Sequence, residues 1–197
     1  MAEVPPITQR SPGGVTQPKA IGFRPVTPAD RERLATWLAR PHVARWWGEA
    51  EAEAAAIVGQ IGTPGFGPFV FIVDGREAGY IQWWQPDGAW EIPVPAPSET
   101  TRGIDMAIAE PGDCGRGLGP RVLRAFVERL AAEGIRRFLI DPAPENARAR
   151  AAFARAGFRA VAEGEHCEGR YVLMVLDVDG VDAGSGAPLA PPPRAPT

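Results

Sequence analysis

Cysteine is scarce in this chain: Cys114 and Cys167 are the only two in 197 residues. That is too few for a disulfide framework, and their spacing fits no metal-ligand pattern, so both read as reduced, incidental thiols. Basic blocks are missing too. With a formal net charge of -3 and no cluster of Lys or Arg, the chain has little with which to neutralise a phosphate backbone. Nucleic acid is thereby excluded as the main partner. No apolar run approaches the length of a membrane span, and the opening MAEVPPITQR has no apolar stretch of a secretory signal. The expectation is a soluble, cytoplasmic protein with no membrane partner.

What is present is an ordinary globular middle between two unpatterned ends. Hydrophobic residues make up 45% and charged residues 23%, and the length suits one domain with a full core. Residues 1–20 mix prolines, glycines and polar residues without periodicity and read as a disordered leader. Residues 180–197, GVDAGSGAPLAPPPRAPT, read as a disordered Pro/Gly/Ala-rich tail. The domain is expected over 21–179.

Within it, Ile21–Arg24 reads as a first strand. Thr27 and Pro28 look like a helix cap and first helical position, Leu34, Trp37 and Leu38 form the buried stripe, and Pro41 closes that helix. HVARWW at His42–Trp47 starts a second helical piece, and Ala50–Ile61 is an Ala/Glu-rich helix. Phe69–Val73 and Ala78–Trp84 flank Asp74-Gly75 as a hairpin. Gln85–Glu99 is too proline-rich for a central strand. In TRGIDMAIA, Thr101–Ala109, alternation sends Ile104, Met106 and Ile108 one way and Gly103, Asp105 and Ala107 the other. Strands are expected again at Arg136–Ile140, Phe158–Glu163 and Tyr171–Asp177, with a helix striped by Ala149, Ala152, Phe153 and Ala156 and capped by Gly157. The order implies an α/β (α+β) sheet with strands of both directions.

The most informative stretch is DCGRGLGPRVLRAFVERLAAEG, Asp113 to Gly134. Gly115, Gly117 and Gly119 alternate, and then Leu123, Phe126, Val127 and Leu130 share one helical face up to a terminal Gly134. A glycine loop feeding a helix start exposes backbone N–H groups and the positive end of the helix dipole, which suits a phosphate or pyrophosphate. By itself the loop is equally compatible with a flexible turn before a surface helix, and a dinucleotide would suit it as well as any other phosphate ester.

A strand, the loop GRGLG, a helix, a strand and then DPxPxNxRAxxxFxxAGF together resemble the GCN5-related N-acetyltransferase (GNAT) superfamily. The segments GFRPVTPADRERLATWLARPHVARWWG, GYIQWWQPDGAWE, RGID, GRGLG and IDPAPENARARAAFARAGF, in that order over about 21–176, are most similar to aminoglycoside 6'-N-acetyltransferases. The resemblance implies a mixed central sheet of about six or seven strands flanked by about four or five helices. It also implies acetyl-CoA as the acetyl donor and transfer to the 6'-amine of an aminoglycoside, with antibiotic resistance as the outcome. A polycationic small molecule would then be the partner, and the chain a monomer or homodimer. The loop matches the family's acetyl-CoA signature, with Gly115, Arg116, Gly117, Leu118 and Gly119 at the cofactor. Cys114 stands where that signature has Arg or Gln, and Arg116 is a candidate replacement charge.

The chemistry implied is direct attack of an amine on a thioester. An alkyl ammonium titrates near a pKa of about 10, so it needs a proton acceptor at neutral pH. By resemblance Asp105 binds the amine and acts as general base, and backbone groups of Met106, Ala107 and Ile108 meet the thioester. Asn146 matches an asparagine on the pantetheine arm. Phe153 stands where many relatives have a tyrosine that protonates the leaving thiolate, which a phenylalanine cannot do; water, another donor, or departure as free thiolate must serve. For the acceptor, Trp46 and Trp90 match substrate-wall positions, Asp141 by resemblance contacts second-ring amines, Glu168 takes the place of an acidic residue before the last strand, and Asp87 and Glu91 are candidates from their acidic segment. From Gln85 to Asp113 six acids face one base, Arg102, a net of -5 that suits a polycation. About half of Trp46, Trp47, Trp83, Trp84 and Trp90 are expected in the core. Acetylation of another amine, in a siderophore precursor or a protein N-terminus, and a non-catalytic acyl-CoA-binding module are the competing readings.

Overall fold

Asp74 and Gly75 both adopt positive φ, 51° and 78°, the turn geometry that matches the twist of a tight hairpin. It joins β2 (Phe66–Val73) to β3 (Arg76–Trp84). The structure, a computed structural model, describes residues 20–86, 98–166 and 169–178. Residues 1–19 of the expected leader, the expected tail, and Asp87, Trp90, Glu91 and Glu168 lie outside the described residues.

The other elements are β1 (Ile21–Pro25), α1 (Arg31–Leu38), α2 (Pro41–Ala44), α3 (Ala50–Gly59), β4 (Thr101–Ile108), α4 (Leu118–Ala132), β5 (Arg137–Ile140), α5 (Ala147–Ala156), β6 (Arg159–His166) and β7 (Gly169–Asp177). They build one 7-stranded sheet in the order β1-β2-β3-β4-β5-β7-β6. Neighbours are antiparallel except β4 and β5, which run parallel with α4 as the crossover between them. This is the mixed sheet flanked by five helices of the GNAT fold.

Two core layers follow from strand alternation. Phe71, Ile81 and Ile104 pack with Leu123, Phe126, Leu130 and Phe153 under α4 and α5. Val70, Tyr80 and Ala107 face the other way and pack with Leu34, Leu38 and Ile57 of α1 and α3. The buried stripe of α4 is the expected one, and Gly134 and Gly157 close α4 and α5 at φ 98° and 113°.

Local differences have local causes. Pro28–Asp30 forms a 3-10 turn ahead of α1, because Asp30 accepts from both the N–H and the hydroxyl of Thr27, each at 2.9 Å. Pro41 does not close α1, which ends at Leu38, but opens α2, since proline's fixed φ and missing N–H suit a first helical position. Among the described residues the buried tryptophan is Trp37, 8% exposed. Trp47, Trp83 and Trp84 are half-buried and Trp46 is exposed, so fewer of the paired tryptophans are core than their size suggests.

Candidate active site

The ladder between β4 and β5 is short. Thr101, Arg102 and Gly103 pair with Arg137, Phe138 and Leu139, and the β4–β5 pairing ends there. On its other side β4 stays paired with β3 as far as Ile108. From Ile104 onward the strands splay, and one edge of β4 faces the gap. The phase of that edge is set by Ala109, whose N–H donates to Ala78 O at 2.9 Å. Alternation then turns the main-chain groups of Ala107 and Asp105 towards β3, and those of Met106 and Ile108 into the gap. The Ile108 carbonyl agrees, accepting from Nε2 of His42 at 2.9 Å. Arg40 donates to Ala109 O at 2.7 Å and pairs with Glu110 at 2.6 Å, so α2 and its approach pin the end of β4.

A cleft of about 800 Å³ occupies the splay. Of the residues expected at the site, Asp105, Met106, Ala107, Ile108, Gly115, Gly117, Gly119, Asn146, Phe153, Trp46 and Asp141 all border it. Two do not. Leu118 is buried in the α4 core, and Arg116 is exposed.

At one end lies the glycine loop. Gly115 and Gly117 sit at φ 76° and 78°, which a side chain rarely tolerates, and Gly117 caps α4 without a side-chain bond to the first turn. Gly119 is different: it is helical, and an added Cβ would meet only Ile108 and Ala152 at ordinary contact distances of 3.7 and 3.9 Å. The charge beside this loop comes from α5. Arg148 lines the cleft with Cys114. Burial pushes the Cys114 thiol up, the Arg148 guanidinium pulls it the other way, and Asp113 adds to the rise. Asn146 caps α5, accepting from Ala149 N–H at 3.1 Å through Oδ1, which leaves its NH2 group for other work. Phe153 is 8% exposed and packs against Phe158 with ring centroids 6.5 Å apart.

The other end is acidic and aromatic. Asp105 Oδ2 accepts from Gln82 Nε2 at 2.7 Å and Trp84 Nε1 at 2.9 Å. Asp105 is therefore inside the sheet rather than on a solvent edge. Glu53 of α3 reaches the same wall by folding against bare Gly48, where a Cβ would stand 2.5 Å from its Oε1. Trp47 packs edge-on against Tyr80 at 5.8 Å, and Trp46 carries Arg45 over its ring at 5.2 Å. The sequence reading missed Gln82, Glu53 and Arg148. The first two sit in segments whose pattern speaks only of strand or helix; Arg148 belongs to a recognised motif, but its proximity to the loop exists only after folding. Among the described residues no group of His, Cys, Asp and Glu is arranged to hold a metal ion.

A cleft with a glycine loop at one end and a held carboxylate at the other, opened by a splayed parallel pair in a mixed seven-stranded sheet, is the architecture of the GNAT class. The family model for an acetyltransferase (GNAT) domain matches residues 27–166, and the chain belongs to that family. An aminoglycoside N(6')-acetyltransferase type 1 of Klebsiella pneumoniae is 30% identical over 168 residues, covering 79% of this chain and 82% of that protein. A kanamycin resistance protein of Rhizobium radiobacter is 30% identical over 95 residues, 48% of this chain and 80% of its own length. Among solved structures, AAC(6')-Ib with coenzyme A and kanamycin superposes with a TM-score of 0.71 at 27% identity, covering 80% of this chain and 95% of that one. The same enzyme with paromomycin and acetyl-CoA gives 0.71 at 29% identity, covering 80% and 93%.

Proposed function

We propose that this protein transfers the acetyl group of acetyl-CoA to a primary amine of a polycationic acceptor, the 6'-amine of an aminoglycoside, by direct attack. The observation that carries the reading is the splay of β4 from β5, which sets Asp105 and the inward N–H groups of Met106 and Ile108 in the same cleft as the glycine loop. The relatives named above supply the acceptor class.

The residues present fit such a donor. The uncapped first turn of α4 and the loop at Gly115 and Gly117 suit the pyrophosphate, and Arg148 rather than Arg116 supplies the positive charge that Cys114 does not. The NH2 of Asn146 and the exposed edge of β4 suit the amides of the pantetheine arm. The acceptor amine arrives as an ammonium ion, drawn by Asp105, Glu53 and Asp141. Asp105 accepts its proton, directly or through a water, as the nitrogen lone pair attacks the thioester carbon. The carbonyl oxygen gains charge beside N–H donors at Met106 and Ile108. The C–N bond forms, the C–S bond breaks with the sulfur leaving as thiolate, and the nitrogen gives up its second proton to water. Phe153 has no proton to give, so water, another donor in the cleft, or protonation after departure serves the thiolate.

The test is thiol release from acetyl-CoA in the presence of kanamycin or tobramycin, with Asp105→Asn alongside. Release by the native protein and a loss on the order of 10²-fold in Asp105→Asn, with coenzyme A affinity retained, is expected. Intact coenzyme A binding with no release would favour a non-catalytic module. Release only with some other amine would move the acceptor assignment.

A further inference from the structure

Both donors that reach Asp105 from β3 land on one oxygen, Oδ2. An indole N–H can only donate, so the Trp84 contact is unambiguous. A carboxamide is not: turned by half a rotation, Gln82 would aim Oε1 at the carboxylate and repel it. A second group, lying deeper, bears on that orientation. Tyr80, Gln82 and Trp84 alternate on β3 and share a face, and the Tyr80 hydroxyl bonds Gln82 Oε1. Tyr80 is fully buried under α3. Burial, then the negative charges of Asp105 and Glu53, push its phenol far above the ordinary range, so it keeps its proton and donates. With Oε1 engaged by the hydroxyl and an acceptor-only carboxylate on the other side, the Gln82 NH2 group faces Asp105, and the two contacts reinforce one orientation.

We infer that Tyr80, which does not line the cleft, is a positioning residue for the acceptor-binding carboxylate, acting through the orientation of Gln82. This rests on the reading of Asp105 as the group that binds and deprotonates the amine. The relay runs hydroxyl to carboxamide to carboxylate, every donor pointing towards Asp105. It holds the side chain in one rotamer and stabilises its ionised form. The arrangement gives a polar partner to the hydroxyl of a tyrosine that otherwise belongs to the apolar layer of Leu34, Leu38 and Ile57.

The experiment is the pH profile of kcat/KM for the acceptor, whose lower limb reports the free enzyme's ionised base. The other titratable groups sharing the cleft are Glu53 of α3, His42 of α2, Cys114 of the glycine loop, Tyr171 of β7 and Asp141 beyond β5, with Arg45, Arg148, Arg155 and Arg170 as fixed charges. In Tyr80→Phe, Gln82 is free to turn; kcat/KM should fall about ten-fold and the lower limb should move to higher pH, with KM for acetyl-CoA unchanged. In a Gln82→Leu background the same Tyr80→Phe change should have no further effect. Gln82→Glu, which leaves the buried tyrosine intact, should move the limb upward as well by placing a second carboxylate against Asp105. An unchanged profile in Tyr80→Phe, or an equal loss with and without Gln82, would overturn the inference. So would an unmoved limb in Gln82→Glu, should Tyr80→Phe fail to fold. Asp105→Asn separates the two failures: if it leaves turnover intact, the reading of Asp105 falls; if it abolishes turnover while the relay variants do nothing, only the relay falls.

Discussion

The indole of Trp84 occupies the space that a side chain at residue 103 would fill: a Cβ added to Gly103 would stand 2.1 Å from Trp84 Cε2. The two residues are partners across β3 and β4. With no side chain on Gly103, the ring lies flat over β4 and reaches diagonally to Asp105 at 2.9 Å. The glycine of RGID is thus the bed for the ring that holds the aspartate beside it.

Gly103→Ala should therefore act on chemistry more than on the donor. The methyl group expels the indole, the Trp84–Asp105 bond is lost, and kcat/KM for the acceptor falls by about ten-fold. Coenzyme A affinity by calorimetry should be unchanged, and the tryptophan emission should shift red as the ring gains solvent.

The three loop glycines should separate. Gly115→Ala and Gly117→Ala force a side chain into a left-handed conformation at φ 76° and 78°, at a cost of about 1 kcal/mol each, and should weaken coenzyme A binding. Gly119→Ala gains helix propensity and meets only ordinary contacts at 3.7 and 3.9 Å, so the melting temperature should hold or rise.

Arg148 and Arg116 test which guanidinium serves the pyrophosphate. Arg148→Ala should raise the Kd for coenzyme A about ten-fold, the loss of a charge-assisted contact. Its KM for a phosphate-free donor such as acetyl-pantetheine should be unaffected. Arg116→Ala, changing an exposed side chain, should leave both constants where they are. Equal losses for the two donors in Arg148→Ala would mean a packing role instead.

Stability should carry an acid signature from Asp30. Its carboxylate, 3% exposed, meets Arg24 at 2.8 Å through both oxygens. Arg24 first, with help from Thr27 and against burial, holds the carboxyl well below the usual range. A carboxyl lowered in the folded state stabilises the fold above its unfolded value, near pH 4, and the contribution is lost as pH falls through the folded value. Asp30→Asn should cost about 2 kcal/mol at pH 7, because Arg24 and Arg33 keep Glu77 but lose their charge-assisted bonds to Asp30. Its unfolding curve and that of the native protein should converge as pH is lowered below about 4.

Much of this was legible in the sequence because it is encoded by near neighbours. The α4 stripe, the Asp74-Gly75 turn, the caps at Gly134 and Gly157 and the sidedness of Asp105 each depend on a few residues whose periodicity or φ preference is local. The glycine loop was legible in the same way, although its third glycine proved to be a helical residue rather than a conformational necessity.

The rest required the chain to close on itself. Nothing in RFLI says that β7 rather than β6 will lie beside it, or that its ladder with β4 will stop at Gly103, because strand pairing is a contest among distant segments. Nor could spacing say that Arg148 would stand at the loop or that Tyr80 would orient Gln82 towards Asp105. The sequence by itself determined which elements form and which face each residue takes, since those are short-range properties of the backbone. Tertiary structure alone decided where the sheet splays and which side chains hold the carboxylate at that opening, since both depend on non-local registers and on space left by a missing Cβ.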